Sequence, residues 1–125
     1  MHRKNLVKFY IGAAVCVAVG CQAPSSKRDT RMQHLVLVQL DDPALAPQMI
    51  ADMQQAFAQI PQVQSWSAGT RIDTGRTGVP TWYTLGTLTQ FESPEAFKIY
   101  FEHPLHKELV QKWKAHWKRS EIYDF

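Results

Sequence analysis

Within seven residues, Tyr100-Phe-Glu-His-Pro-Leu-His106, the chain places one phenol and two imidazoles. Such groups can exchange a proton near neutral pH or hold the polar end of a small molecule. Pro104 interrupts helical backbone inside the stretch, which lets polar side chains be held against a core. From His106, helical steps lead to Val110, Trp113 and Trp117, an apolar face, so His106 is expected to point inward near a helix start. A buried imidazole tends toward its neutral form. Tyr100 lies six residues earlier on the preceding helical segment, and His34 shares alternate positions with Val36, Val38 and Leu40. A Tyr100–His106 pair facing an apolar cavity could take a proton from carbon next to a carbonyl. The expected ligand contacts are His34, Tyr100, His103, His106, Val110 and Trp113. The plainer alternative is that these groups satisfy one another and nearby carbonyls at a crowded helix junction.

Other chemistries find less support. The spacing of His103 and His106 could bring two imidazoles to zinc or copper, with His34 or His116 joining. Pro104 separates the two rings, however, and no nearby carboxylate or cysteine completes a set, so no metal and no cofactor are expected. Trp113 and Trp117 sit about one turn apart and read as core before they read as a stacking platform. Thr74 to Pro80 contains two glycines but no helix follows to cradle a phosphate. No serine occupies a nucleophile-elbow context. Lys107, Lys112, Lys114, Lys118 and Arg119 form a solvated face balanced by Glu102, Glu108 and Glu121.

The elements that must position these residues are well punctuated. His34 to Leu40 is aliphatic and β-branched and stops at Asp41-Asp42-Pro43, a strand. Met49, Ile50, Met53, Phe57 and Ile60 predict a helix over 48–60, ended by Pro61. Val63 to Asp73 and Thr81 to Phe91 predict a hairpin around a loop at 74–80, with Gly69 a bulge or close-approach point. Ser93-Pro94-Glu95 is a helix start: a capping serine, a proline at the first helical position and an early carboxylate. That helix breaks at His103-Pro104, a second runs from Leu105 to Trp117, and Glu121 to Phe125 is a final strand. The order is β-α-β-β-α-β, a ferredoxin-like α+β arrangement with its second helix split. Helices cover one face of such a sheet. Burying the other against a second copy predicts a homodimer joined sheet to sheet.

The N-terminal segment has a different purpose. Arg3, Lys4 and Lys8 precede an apolar run from Phe9 to Gly20 that is shorter than the roughly 20 residues a spanning helix needs. Small residues before Cys21 complete an export signal over 1–20, the alternatives to a lipoprotein signal being an ordinary secretory signal or a short anchor helix. The Ala-Val-Gly-Cys21 sequence resembles the lipobox of bacterial lipoproteins, which implies a lipid on Cys21 and attachment to the cell envelope. Gln22 rather than aspartate favours the outer membrane in a host with two membranes. Removing 1–20 takes three of the 14 basic residues and none of the 11 acidic ones, so the net charge falls from +3 to zero. No basic footprint is left for nucleic acid. Cys16 leaves with the signal, so the exported domain has no disulfide to rely on. Residues 22–33 are polar and unpatterned, a tether behind Cys21 reaching at most about 40 Å, and the globular domain is expected over 34–125.

A strand opening on His34, a Gly69 ending the second strand, Phe91-Glu-Ser-Pro-Glu95, Tyr100-x-x-His-Pro-x-His106 and Ile122-Tyr-Asp-Phe125 follow in this order. Together they resemble the stress-responsive A/B barrel domain, over 34–125. The resemblance implies a dimeric α+β barrel with a cavity between sheet and helices in each subunit. Most members have no settled activity. Plant members that cyclise polyketides are similar here and use a tyrosine and a histidine matching Tyr100 and His106. They carry another cavity histidine on the third strand, where this chain has Leu85, so Leu85 joins the expected ligand contacts. The expected function is an envelope-tethered module binding a small apolar or aromatic molecule, with a small cyclase- or isomerase-like enzyme as the alternative.

Overall fold

The structure is a computed structural model that describes residues 31–125. The export signal, Cys21 and the tether through Thr30 lie outside the described residues. Strand β1 (Met32–Leu40) leads to helix α1 (Ala46–Phe57), then strands β2 (Ser65–Thr70) and β3 (Leu85–Phe91). Helices α2 (Pro94–Glu102) and α3 (Pro104–Trp113) follow, and strand β4 (Trp117–Asp124) closes the order. The sheet runs β2-β3-β1-β4 with antiparallel neighbours throughout. This is the expected ferredoxin-like α+β fold, divided second helix included.

Most differences from the expected elements are at their ends. Met32 and Gln33 belong to β1, paired with Phe91 and Gln90, and not to the tether. A 3-10 turn at Pro43–Leu45, capped by Asp42 accepting from the Ala44 N–H at 2.9 Å, starts α1 early. Ile60 is buried just beyond the helix end. β2 and β3 are shorter than their apolar patterns. Gly69 lies opposite Gly86 in unbroken register, and the bulge falls instead between Gln39 and Leu40 of β1, against β4. The largest change is at the end of the chain. α3 stops at Trp113, a 3-10 turn covers Lys114–His116, and Trp117 opens β4.

Met49, Met53 and Phe57 recur at helical spacing on α1 and bury against Val38, Leu40, Leu85 and Phe91 of the sheet. Asp52 ties α1 to α3. Its carboxylate accepts from the Trp113 indole at 2.9 Å and from Gln48 at 3.0 Å, and pairs with Lys112 at 2.6 Å. Burial opposes that charge, but the bonds from Lys112, Gln48 and Trp113 outweigh it and hold the carboxyl below its ordinary value. On the other face of the sheet, Leu35, Leu37 and Leu88 belong neither to the buried core nor to its packed margin. Leu37 leans over Gly86, where a Cβ would meet its Cδ2 at 3.0 Å. Among the described residues no helix is long and apolar enough to cross a membrane.

Candidate functional site

A cavity of about 200 Å³ lies between the sheet and the helices. Strand alternation builds its floor: His34, Val36 and Val38 of β1 stand between Thr87 and Thr89 of β3 and Ser120 and Ile122 of β4. Met49 and Met53 of α1, Phe101 of α2, and His106 and Val110 of α3 close it above. Phe101 and Ile122 are more than half exposed, which places the mouth between the helix junction and β4.

Pro104 creates that junction. The residue before a proline is driven out of helical backbone, and His103 has φ −65° and ψ 135°. Its Nδ1 accepts from the Leu105 N–H at 3.2 Å, so His103 caps α3. The turn sets His106 over Tyr100 with ring centroids 4.4 Å apart. His106 Nδ1 is 3.0 Å from the Phe101 carbonyl. A carbonyl only accepts, so Nδ1 carries the proton and Nε2 the lone pair. Burial pushes the His106 pKa below its ordinary 6.5, with the Phe101 bond acting the other way. Tyr100 is 3% exposed, and burial raises its phenol pKa. Its hydroxyl forms no hydrogen bond among the described residues.

His34 is fixed in the same fashion from the opposite side. Its Nδ1 lies 2.6 Å from the carboxylate of Asp124, its cross-strand partner on β4. The carboxylate accepts, leaving Nε2 as the free nitrogen. Phe97 and Tyr100 pack on the ring at 5.0 and 6.4 Å between centroids. Three further polar atoms, Thr87 Oγ1, Thr89 Oγ1 and Trp117 Nε1, are buried without a partner among the described residues. All three residues border the cavity.

Of the expected contacts, His34, Tyr100, His106 and Val110 come together on the cavity. Three do not. Leu85 is fully buried in the core beside Val38. His103 is spent on the α3 cap. Trp113 turns to α1 because its indole N–H is held by Asp52. Asp124, Thr87 and Thr89 escaped the sequence reading, and Trp117, expected on a helix and as core before ligand contact, borders the cavity from β4. Thr87 and Thr89 share strand parity with Leu85 and Phe91, and a β1–β4 antiparallel ladder would have put Asp124 opposite His34. Among the described residues no group of three or more His, Cys, Asp or Glu could hold a metal ion.

A four-stranded antiparallel sheet backed by helices on one face, with a pocket between the layers, defines a small ferredoxin-like α+β protein. Within that class the Stress Responsive A/B Barrel Domain matches residues 32–125, and the chain belongs to that family. Among similar solved structures is the hydroxynitrile lyase of Passiflora edulis, at 17% identity and TM-score 0.69, covering 78% of this chain and 93% of that one. A Dabb-family protein with a ferredoxin-like fold from Mesorhizobium loti has 18% identity and TM-score 0.63, covering 76% and 94%. A dimeric ferredoxin-like protein of unknown function from Thermobifida fusca has 18% identity and TM-score 0.66, covering 78% and 92%. No curated protein matches. Identities this low establish a shared fold and no activity.

Proposed function

We propose that this chain is an envelope-tethered homodimeric module that binds a small, mainly apolar molecule in the cavity between sheet and helices. The carrying observation is the cavity itself: about 200 Å³, walled mostly by aliphatic and aromatic side chains, with a mouth between Phe101 and Ile122. Such a space beside a few polar groups is the usual form of a small-molecule site. The dimer rests on the uncovered Leu35, Leu37 and Leu88 face and on solved relatives described as dimeric. The tether rests on the basic and apolar segment before Cys21. Native mass spectrometry of the full-length protein, purified from membranes in detergent, tests all three. The expected species is a dimer with a lipid mass on Cys21 and a co-purified small molecule. A monomer, an unmodified Cys21, or no uptake of any apolar compound would each remove the corresponding part.

A second reading, the acid/base enzyme, is favoured by one observation. Among the described residues neither His106 Nε2 nor the Tyr100 hydroxyl has a hydrogen-bond partner, and the two rings lie 4.4 Å apart between centroids. In that reading Nε2 takes a proton from a bound substrate while Tyr100 donates to a developing oxyanion. His106→Ala would then abolish turnover while bound ligand remains, whereas a pure binding module would show no turnover to lose.

A further inference from the structure

Granting that the cavity binds a small molecule, the polar atoms open to it decide what charge that molecule carries. Thr87 Oγ1, Thr89 Oγ1 and Trp117 Nε1 are enclosed, so nothing bound there reaches them. The lining atoms that keep open surface are His34 Nε2, His106 Nε2 and Tyr100 Oη, with Ser120 Oγ at the rim. None of these has a partner among the described residues. With each Nδ1 proton committed, to the Asp124 carboxylate and to the Phe101 carbonyl, both Nε2 atoms present lone pairs. The phenol oxygen is a third acceptor.

The charges around this cluster have the same sign of effect. On β4, Asp124 stands 2.6 Å from His34 Nδ1 and has no other partner among the described residues. On the helices, Glu102 and His103 also act on His106, and Glu102 is paired with Lys107. α1 and β3 contribute no titratable side chain to the lining, and no lysine or arginine borders the cavity. Phe57, Tyr100, Phe101 and Trp117 add aromatic wall, which attracts a cation wherever a ring face is presented. An anion would meet lone pairs here unless an imidazole first took up a proton. A cation meets them as they stand.

The cavity is also polarised along its depth. Val38, Met49 and Met53, 1–3% exposed, form its apolar inner end. His106 lies beside the exposed Phe101, at 5.5 Å between ring centroids, and the Asp124 side chain is 46% exposed. A charged group held at that outer end keeps some water and escapes most of the cost of burying an ion. A closed apolar cavity of about 150 Å³ holds benzene, so about 200 Å³ admits one ring with a short arm.

We infer that the ligand is a small amphiphilic amine: an apolar body at the inner end and a primary ammonium group at the mouth, received by His34, His106 and Tyr100. A primary ammonium donates three hydrogen bonds and accepts none, the complement of this cluster. Asp124 is a positioning residue, fixing the His34 tautomer and supplying the countercharge through it.

The test is calorimetric titration of the full-length protein in non-ionic detergent, with detergent-only titrations subtracted. The probes are 2-phenylethylamine, 2-phenylethanol, ethylbenzene and 3-phenylpropanoate. The amine is expected to bind about tenfold or more tighter than ethylbenzene, the surplus of one charge-assisted hydrogen bond. The alcohol falls between them and the carboxylate is weakest. Acidification from about pH 7.5 to about pH 5.5 should weaken the amine and spare ethylbenzene, because protonated imidazoles lose their lone pairs. Asp124→Asn should weaken the amine, leave ethylbenzene unchanged and tighten the carboxylate, whereas mere structural damage would weaken all three. Equal binding of amine and ethylbenzene would overturn the inference, as would an alcohol as tight as the amine or an unchanged ranking in Asp124→Asn. Tightest binding by the carboxylate would reverse the sign of the site. Failure of all four probes, ethylbenzene included, would instead remove the underlying reading of a binding cavity. Circular dichroism confines the comparison to folded protein.

Discussion

Replacing Thr89 by valine should stabilise the ligand-free protein, an unusual direction for a core substitution. Thr89 is 1% exposed on the central face of β3, and its hydroxyl has no partner among the described residues. A buried hydroxyl left unpaired costs about 1–3 kcal/mol. Valine keeps the branched shape, suits a strand equally well, and puts a methyl where the oxygen was. Neither a void nor a new polar group results, so most of the penalty is recovered. The expected gain is about 1–2 kcal/mol, which for a domain of this size raises Tm by about 4–8 °C per kcal/mol. Urea unfolding followed by tryptophan fluorescence measures it, since Trp113 is buried and Trp66 and Trp117 pack against the core. Protein concentration must be held constant, because the stability of the proposed dimer would depend on it. The midpoint should rise with an unchanged slope. Thr89→Ser, which keeps the hydroxyl and deletes a methyl, should move the other way. A Thr89→Val protein less stable than the parent by about 1 kcal/mol or more would refute the reasoning, for the oxygen would then have a partner worth that much.

Stability should also fall as pH drops through 6.5. His106 titrates lower in the fold than its ordinary 6.5, so the unfolded chain binds the extra proton first and is favoured below that pH. His106→Gln should flatten the unfolding midpoint's pH dependence in this window, and an unchanged profile would count against the burial of the imidazole. Asp52→Ala strands the Trp113 indole N–H and frees Lys112, with an expected loss of about 2 kcal/mol by chemical denaturation. A loss as small as a surface ion pair's would mean that the α1–α3 joint does not depend on it. Leu37→Asp puts a charge in the middle of the uncovered sheet face and should convert the proposed dimer to monomer by light scattering, with the fold retained by circular dichroism. Persistence of the dimer would move its interface elsewhere.

The parts of the fold legible in the sequence are those set by local chemistry. Ser93 caps α2, its Oγ accepting from the Ala96 N–H at 3.2 Å, and Pro104 splits the second helix where a ring without an N–H must. The helical spacing of Met49, Met53 and Phe57 needed no tertiary knowledge either. Trp117 shows the limit. It continues the period of His106, Val110 and Trp113, yet pairing with Leu40 at the β1 bulge draws it into a strand. It reaches the cavity from the sheet and not from the helix. The same distinction divides the site. His34, Tyr100, His106 and Val110 could be placed from strand parity and the proline break. Asp124 stands 90 positions from His34 in the chain, and only strand adjacency joins them. His103 and Trp113 looked available because nothing local revealed the Leu105 amide and the Asp52 carboxylate that occupy them.

β4 is the outermost strand of the sheet on its side and is bonded within the described chain only to β1. Lys118, Arg119 and Glu121 along it are the charges that keep such an edge from recruiting stray strands. The same strand supplies Trp117, Ser120 and Ile122 to the cavity and Asp124 to His34. An edge held by a single ladder opens locally at less cost than the centre of a sheet. Of the strands that wall the pocket, β4 is therefore the one expected to yield first. If the cavity binds a small molecule as proposed, one slightly too large would be accommodated more readily against β4 than against β1 or β3. Opening the wall also draws Asp124 from His34 and frees that imidazole to turn. The chemical setting of the site would then vary with the size of a bound molecule.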